Sequence, residues 1–210
     1  PALPHIGQDL GVSIAMMQGT ITSYFLAFGA AQNFTVLGQI KQGENTTDDG
    51  IVIFFLGSLL CALAPSGQAL LVGRFIQGLG GAAVMVIPRA VIRDMYTGHR
   101  ATQLMAALML VISISPFLAP LAGASLLQFW GWRAIFAILT IVSLASLLFQ
   151  ALFLTENLAA EARAPLSARV LLAGLKTLMT DRSFMALTFM NGFAMASLFV
   201  FISFVSFIHA

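Results

Sequence analysis

Arg74 and Gln77 stand three residues apart in Leu70–Ala82, an otherwise apolar run of this 210-residue chain. On a helix that spacing sets the guanidinium and the amide on one face, with Gly81 on the same side. An arginine at the centre of a membrane span costs about 3 kcal/mol on insertion scales, so it belongs in a polar interior or a watery cavity. The span begins only a few residues earlier, so snorkelling of Arg74 to the outer surface stays open as the plain alternative. The chemistry on offer is recognition by charge and hydrogen bonding, not bond breaking. There is no Gly-x-Ser-x-Gly, no His-Glu-x-x-His and no glycine loop to cradle phosphate. His5, His99 and His209 sit in connections or at the chain end, and no Asp or Glu falls inside an apolar run. The single cysteine, Cys61, can form neither an internal disulfide nor a cysteine-based metal site, and reads as packing. No catalytic residue, metal ligand or cofactor is expected.

Other polar positions within apolar runs are Gln18, Tyr24, Gln32 and Asn33 near the start and Asn191 near the end. Tyr24 and Asn191 are candidates to line a cavity with Arg74 and Gln77, although helix–helix hydrogen bonding is the commoner use of such groups. Gly78 and Ala82 form a small-residue pair suited to close helix contact. Pro116 and Pro120 each remove a helical hydrogen bond, and Ser115, Ala119 and Gly123 follow as a small-residue stripe. A kinked helix packed tightly on a neighbour is expected there. Most of the eighteen Phe and ten Met are filler, with a minority able to form an adaptable apolar wall.

The elements that must carry these residues follow from composition. The chain is 59% hydrophobic and 9% charged, with a mean hydropathy of +0.95. That is too little charge to cover a water-facing surface, and the opposite of what disorder requires. The class is an all-α polytopic membrane protein, with the lipid bilayer as its environment. A net charge of +2 gives no reason to expect nucleic acid. Apolar stretches long enough to cross are Ser13–Leu37, Ala69–Ile92, Thr102–Trp132, Ala134–Leu154 and Ser183–Ile208. Ile51–Ala64 is apolar but short, and counts as a damaged sixth span. Connections 38–50, 93–101 and 155–182 hold Lys41, Arg93, Arg100, Arg163, Arg169, Lys176 and Arg182, whereas the opposite set holds only Arg133. The first set is therefore cytoplasmic. Residues 155–182 read as a boundary between bundles, either a surface-lying amphipathic helix or a solvated linker. Trp132 and Arg133 read as an interfacial anchor. The chain starts at Pro1 without a visible signal peptide and reads as a piece of a longer protein.

Several segments in order resemble a drug:proton antiporter of the major facilitator superfamily, in the bicyclomycin/chloramphenicol-resistance (Bcr/CflA) branch. They are Pro1–Pro4 with Asp9–Ser13, Gly57–Pro65, Arg74 with Gln77 and Gly78, Arg89–Asp94, Leu108–Val111 through Ala119–Gly123, Gly131–Phe136 and Leu154–Leu158. The resemblance implies two six-helix bundles, of which this piece holds helices 2 to 7. Residues 1–154 would be the N-terminal bundle without helix 1, 155–182 the cytoplasmic inter-bundle loop, and 183–210 the first helix of the C-terminal bundle. It further implies a monomer in the bacterial inner membrane that exports small drug-like compounds against proton entry, with Arg74, Gln77, Tyr24 and Asn191 in the cavity and Gly78, Pro116, Pro120 and Gly123 in helix packing. An uptake carrier for a metabolite and a non-functional gene fragment are the alternatives.

Residues 33–50 depart from this family. Its helix 2–3 loop carries Gly-Pro-x-x-Asp-Arg-x-Gly-Arg-Arg, and nothing here matches. One permitted set of codons for Asn33–Asn45, read two bases later, spells Leu-Tyr-Gly-Pro-Gly-Ala-Asp-Gln-Ala-Gly-Arg-Lys. A local frameshift accounts for both the lost motif and the shortened span after it. Resequencing of the DNA is expected to show compensating insertions or deletions between the codons for Gln32 and Ile51. A read that confirms every codon in this frame would make the loop genuine.

Overall fold

The computed structural model describes residues 2–42, 45–153, 177 and 179–208. Among these it is helical, without strands: α1 Ala2–Leu10, α2 Ile14–Gln42, α3 Asn45–Ala62, α4 Gly67–Met95, α5 Gly98–Trp130, α6 Trp132–Phe153 and α7 Arg182–Ile208. A helix lies at each of the six apolar stretches read from sequence. Four segments, within α2, α4, α5 and α6, are long and apolar enough to cross a membrane, and Asp49–Ala62 is the shorter apolar helix. The helices α2 and α3 also run into the stretch expected as a loop, leaving only 43–44 between them outside the described residues. The expected amphipathic helix or linker at 155–182 lies largely outside the described residues too. The chain divides into two units, one holding α1–α6 and the other α7.

Short breaks alternate between the two ends of the bundle. Pro65 stops α3, and Ser66 restarts the chain as the N-cap of α4, its hydroxyl accepting from the Ala69 N–H at 3.2 Å. Gly131 sits at φ 77° between α5 and α6, a left-handed conformation that a side chain would oppose. The helix α4 lies between α2 and α3 and packs extensively on both. A Cβ on Gly57 of α3 would collide with the Gln77 backbone, and one on Gly78 would collide with the Tyr24 carbonyl of α2. Ala82, the partner of Gly78 in the small-residue pair, is fully buried.

One end of the bundle differs from expectation. Residues 1–12 read as an external connection, but Ala2–Leu10 is a helix that lies over the bundle. Its Ile6 joins a core of Met17, Cys61, Ala64, Leu70, Trp132 and Phe136. Trp132 is therefore 4% exposed rather than an interfacial anchor, while its neighbour Trp130 is 72% exposed. The Trp132 indole donates to Asp9 Oδ2 at 2.9 Å, and Arg133 Nη1 donates to the same oxygen at 2.7 Å. Arg133 Nη2 also reaches the Ala64 carbonyl at 3.3 Å. Three elements far apart in sequence thus share one ion-paired cluster.

The proline-bearing α5 has no buried residue among those described. Pro116 and Pro120 lie within an unbroken helix, and a Cβ on Gly123 would meet nothing within 4 Å. Among the described residues of its unit, no helix packs on the small-residue stripe, and α5 meets the bundle where Leu127, near the end that joins α6, touches the core.

Two outcomes follow from this packing. Gly57→Ala should destabilise the bundle by about 1–3 kcal/mol, the usual range for overpacking. Gly123→Ala should be neutral or slightly stabilising, and thermal unfolding by circular dichroism compares the two. The Trp132 hydrogen bond first, then Arg133, holds the Asp9 carboxyl below its ordinary value, against a smaller opposing effect of desolvation. A depressed carboxyl contributes stability above its unfolded pKa and loses it as pH falls through the folded value. Emission from Trp132, in a Trp130→Phe background, should therefore stay constant from neutral pH down to about 4 and shift only below that. A midpoint between pH 5 and 7 would contradict this assignment.

Candidate functional site

The helix α4 holds Arg74 partly buried against its neighbouring helices. The tight contacts at Gly57 and Gly78 bring α3 and α2 close enough to flank it. Its guanidinium lies 4.3 Å from the centroid of the Tyr24 ring, from α2. On another side the Phe136 ring of α6 stands 5.8 Å away. Aromatic faces stabilise a desolvated cation by about 0.5–2 kcal/mol each, so the two rings partly replace lost water.

The amide of Gln77 completes the shell. Its Oε1 accepts from Arg74 Nη1, and its Nε2 donates to Ser58 Oγ at 2.8 Å. The Ser58 hydroxyl in turn donates a hydrogen bond to the Phe54 carbonyl, also at 2.8 Å. Gln77 is 1% exposed and Ser58 fully buried. The amide is thus a strut between α4 and α3, engaged at both ends, and not a group facing open space. A charged donor bonded to a neutral amide in this way is about twice as strong as a neutral pair. A second tie joins α2 to α4, from Ser23 Oγ to the Leu71 carbonyl at 3.2 Å.

Of the candidates taken from sequence, Tyr24, Arg74 and Gln77 come together, with Gly78 beside them. Asn191 lies on α7, in the other unit. Pro116, Pro120 and Gly123 lie on α5, away from this cluster. Ser58 and Phe136 were missed. Both sit in stretches that resemble the family, but only the third dimension puts them on Arg74. Cys61 is buried against Leu70, one turn before Arg74, with its thiol 3.9 Å from the Leu70 carbonyl, in keeping with packing. Among the described residues no group of His, Cys, Asp or Glu could hold a metal ion.

Grooves open elsewhere, at the end of the bundle that holds α1. One of about 420 Å³ is walled mainly by apolar side chains of α3 and α4 between Leu60 and Val72. Another, of about 350 Å³, lies among His5, Asp9, Trp130, Trp132 and Arg133. Neither is lined by Arg74. The arrangement around Arg74 offers one fixed cation between two aromatic rings and an amide.

The profile of the Major Facilitator Superfamily matches residues 50–209. The chain is 31% identical over its whole length to the uncharacterized MFS-type transporter YdgK of Bacillus subtilis, covering 53% of that protein. It is 34% identical to the multidrug resistance protein MdtL of Klebsiella pneumoniae, over 66% of this chain and 36% of that one. It is 26% identical to a bicyclomycin resistance protein homolog of Haemophilus influenzae, over 97% of this chain and 51% of the relative. The chain thus spans about half the length, or less, of the curated relatives it matches. With its all-helical fold and apolar spans, this chain belongs to the major facilitator superfamily.

Proposed function

We propose that this chain is part of a secondary active multidrug efflux transporter of the bacterial inner membrane, which exports small apolar compounds by alternating access. The observation that carries this reading is the Arg74 guanidinium, held between Tyr24 and Phe136 and tied to Gln77 inside an apolar bundle. A buried cation is costly to keep in a membrane and marks a functional position by default. Aromatic walls tolerate ligands of varied shape, in keeping with relatives named for multidrug and bicyclomycin resistance. Few other polar groups stand nearby, which disfavours a sugar-like metabolite that would need many hydrogen bonds. Protons are the proposed coupling ion. The apolar runs hold no carboxylate, so the titrating group is expected outside residues 1–210. The polypeptide is proposed to act as a monomer.

One observation favours a second reading, a non-functional transporter remnant. The family profile begins to match at residue 50, directly after the stretch that lacks the family's loop motif.

The test is efflux of a panel of fluorescent drug-like dyes by a full-length transporter that carries this segment. Arg74→Ala should lower efflux by about tenfold or more at normal expression, the loss expected for one charge-assisted anchor. Arg74→Lys should retain partial activity, because the charge survives but the planar fork does not. Unchanged efflux in the alanine variant would sink this role for Arg74. A full-length protein that exports nothing, even with the family loop restored, would favour the remnant.

A further inference from the structure

We propose that the half-exposed cluster of Asp9, Trp132 and Arg133 is a clasp that positions the buried Arg74 site from the outer surface. This deepens the efflux reading and rests on it for the role of Arg74. The contacts form one continuous path. Asp9 Oδ2 receives both the Trp132 indole N–H and Arg133 Nη1, and the Arg133 guanidinium lies 4.2 Å above the Trp132 ring. Arg133 also holds the Ala64 carbonyl at the end of α3. Trp132 meets Phe136, one turn further along α6, edge-on at 6.1 Å. Phe136 then faces Arg74.

Nothing else about Asp9 or Arg133 accounts for this arrangement. Their side chains are 50% and 46% exposed, so an ordinary surface pair there would contribute little. What sets this pair apart is the buried indole between it and the core. With the indole bonded to α1 and Arg133 bonded to α3, the first turn of α6 has its rotation and depth set. Phe136 lies on that same face. Loss of the carboxylate leaves the indole N–H without its acceptor and lets α6 turn, which moves Phe136 off the guanidinium. The same movement loosens the buried cluster that Trp132 shares with Cys61 and so uncovers the thiol. Asp9, Trp132 and Arg133 are thus positioning residues, acting on the site through Phe136.

The experiment uses the full-length transporter and two readouts. The first is the rate of alkylation of Cys61 by N-ethylmaleimide, which needs no transport. The second is the split between KM and kcat for dye efflux, with kcat taken per folded protein. Asp9→Ala should raise the alkylation rate about tenfold, the factor for loss of one charge-assisted hydrogen bond. It should raise KM with kcat kept, whereas a purely structural loss would lower the amount of folded protein and leave KM alone. Asp9→Glu should restore both readouts, and Arg133→Lys should fall between, so the idea stays testable if the alanine variant folds poorly. Wild-type alkylation in both Asp9→Ala and Arg133→Lys, or an unchanged KM in both, overturns the clasp. If Arg74→Ala leaves efflux intact while Asp9→Ala still exposes Cys61, the clasp stands and the role of Arg74 fails.

Discussion

A guanidinium cannot be left bare in an apolar bundle. The desolvation of Arg74 is the constraint on which the arrangement of the surrounding helices depends. Its surroundings answer that constraint with groups from four elements: Tyr24 from α2, Ser58 through Gln77 from α3, Gln77 itself from α4, and Phe136 from α6. No carboxylate is used. The cation is met by an amide dipole and two ring faces, so the site keeps its positive charge uncancelled among the described residues. A full ion pair at the same place would have neutralised it and left less to attract a ligand.

The close approach of the helices serves the same end. The amide of Gln77 reaches Ser58 only because Gly57 offers no side chain between the α3 and α4 backbones, and Tyr24 lies over Arg74 because Gly78 lets α2 come in. Without a hydrophobic driving force between helices in lipid, such contacts depend on packing and on internal hydrogen bonds. Both are concentrated on α4, and the lipid-like exposure of α5 contrasts with it. The helix α1 and the Asp9 cluster finish the bundle at one end, where Ile6 and Trp132 are buried in one core with Leu70 and Phe136.

Much of this was legible in the sequence, for definite physical reasons. The spans appear because an apolar run of membrane length has few uses outside a bilayer. Arg74 and Gln77 stand out because a charge and an amide at helical spacing in such a run need a shared polar face. Tyr24 and Gly78 could be flagged by type, although not paired. Ser58 and Phe136 could not be found, since a serine or a phenylalanine in a span is ordinary until its neighbour is known. Asp9 and Arg133 lie 124 positions apart, and no local pattern links them. The nine residues of α1 are too short to span a membrane, and alternation of the spans alone puts them in a connection. The stripe on α5 carried a packing signal in sequence, yet no described helix meets it.

The order of the elements along the chain has a consequence for how the protein enters its membrane. Synthesis delivers α2 and α3 before α4, so Tyr24 and Ser58 are already in place when the arginine-bearing segment leaves the ribosome. A helix with Arg74 and Arg89 is a poor candidate for insertion alone. It can instead enter between α2 and α3, where Tyr24, Gly57 and Ser58 receive it. The ring of Phe136 and the outer cluster arrive last, with α6, and close over a cation that has already been sheltered. The arginine thus ties α4 to helices that precede it in the chain, since the groups on α2 and α3 that shelter it are made first.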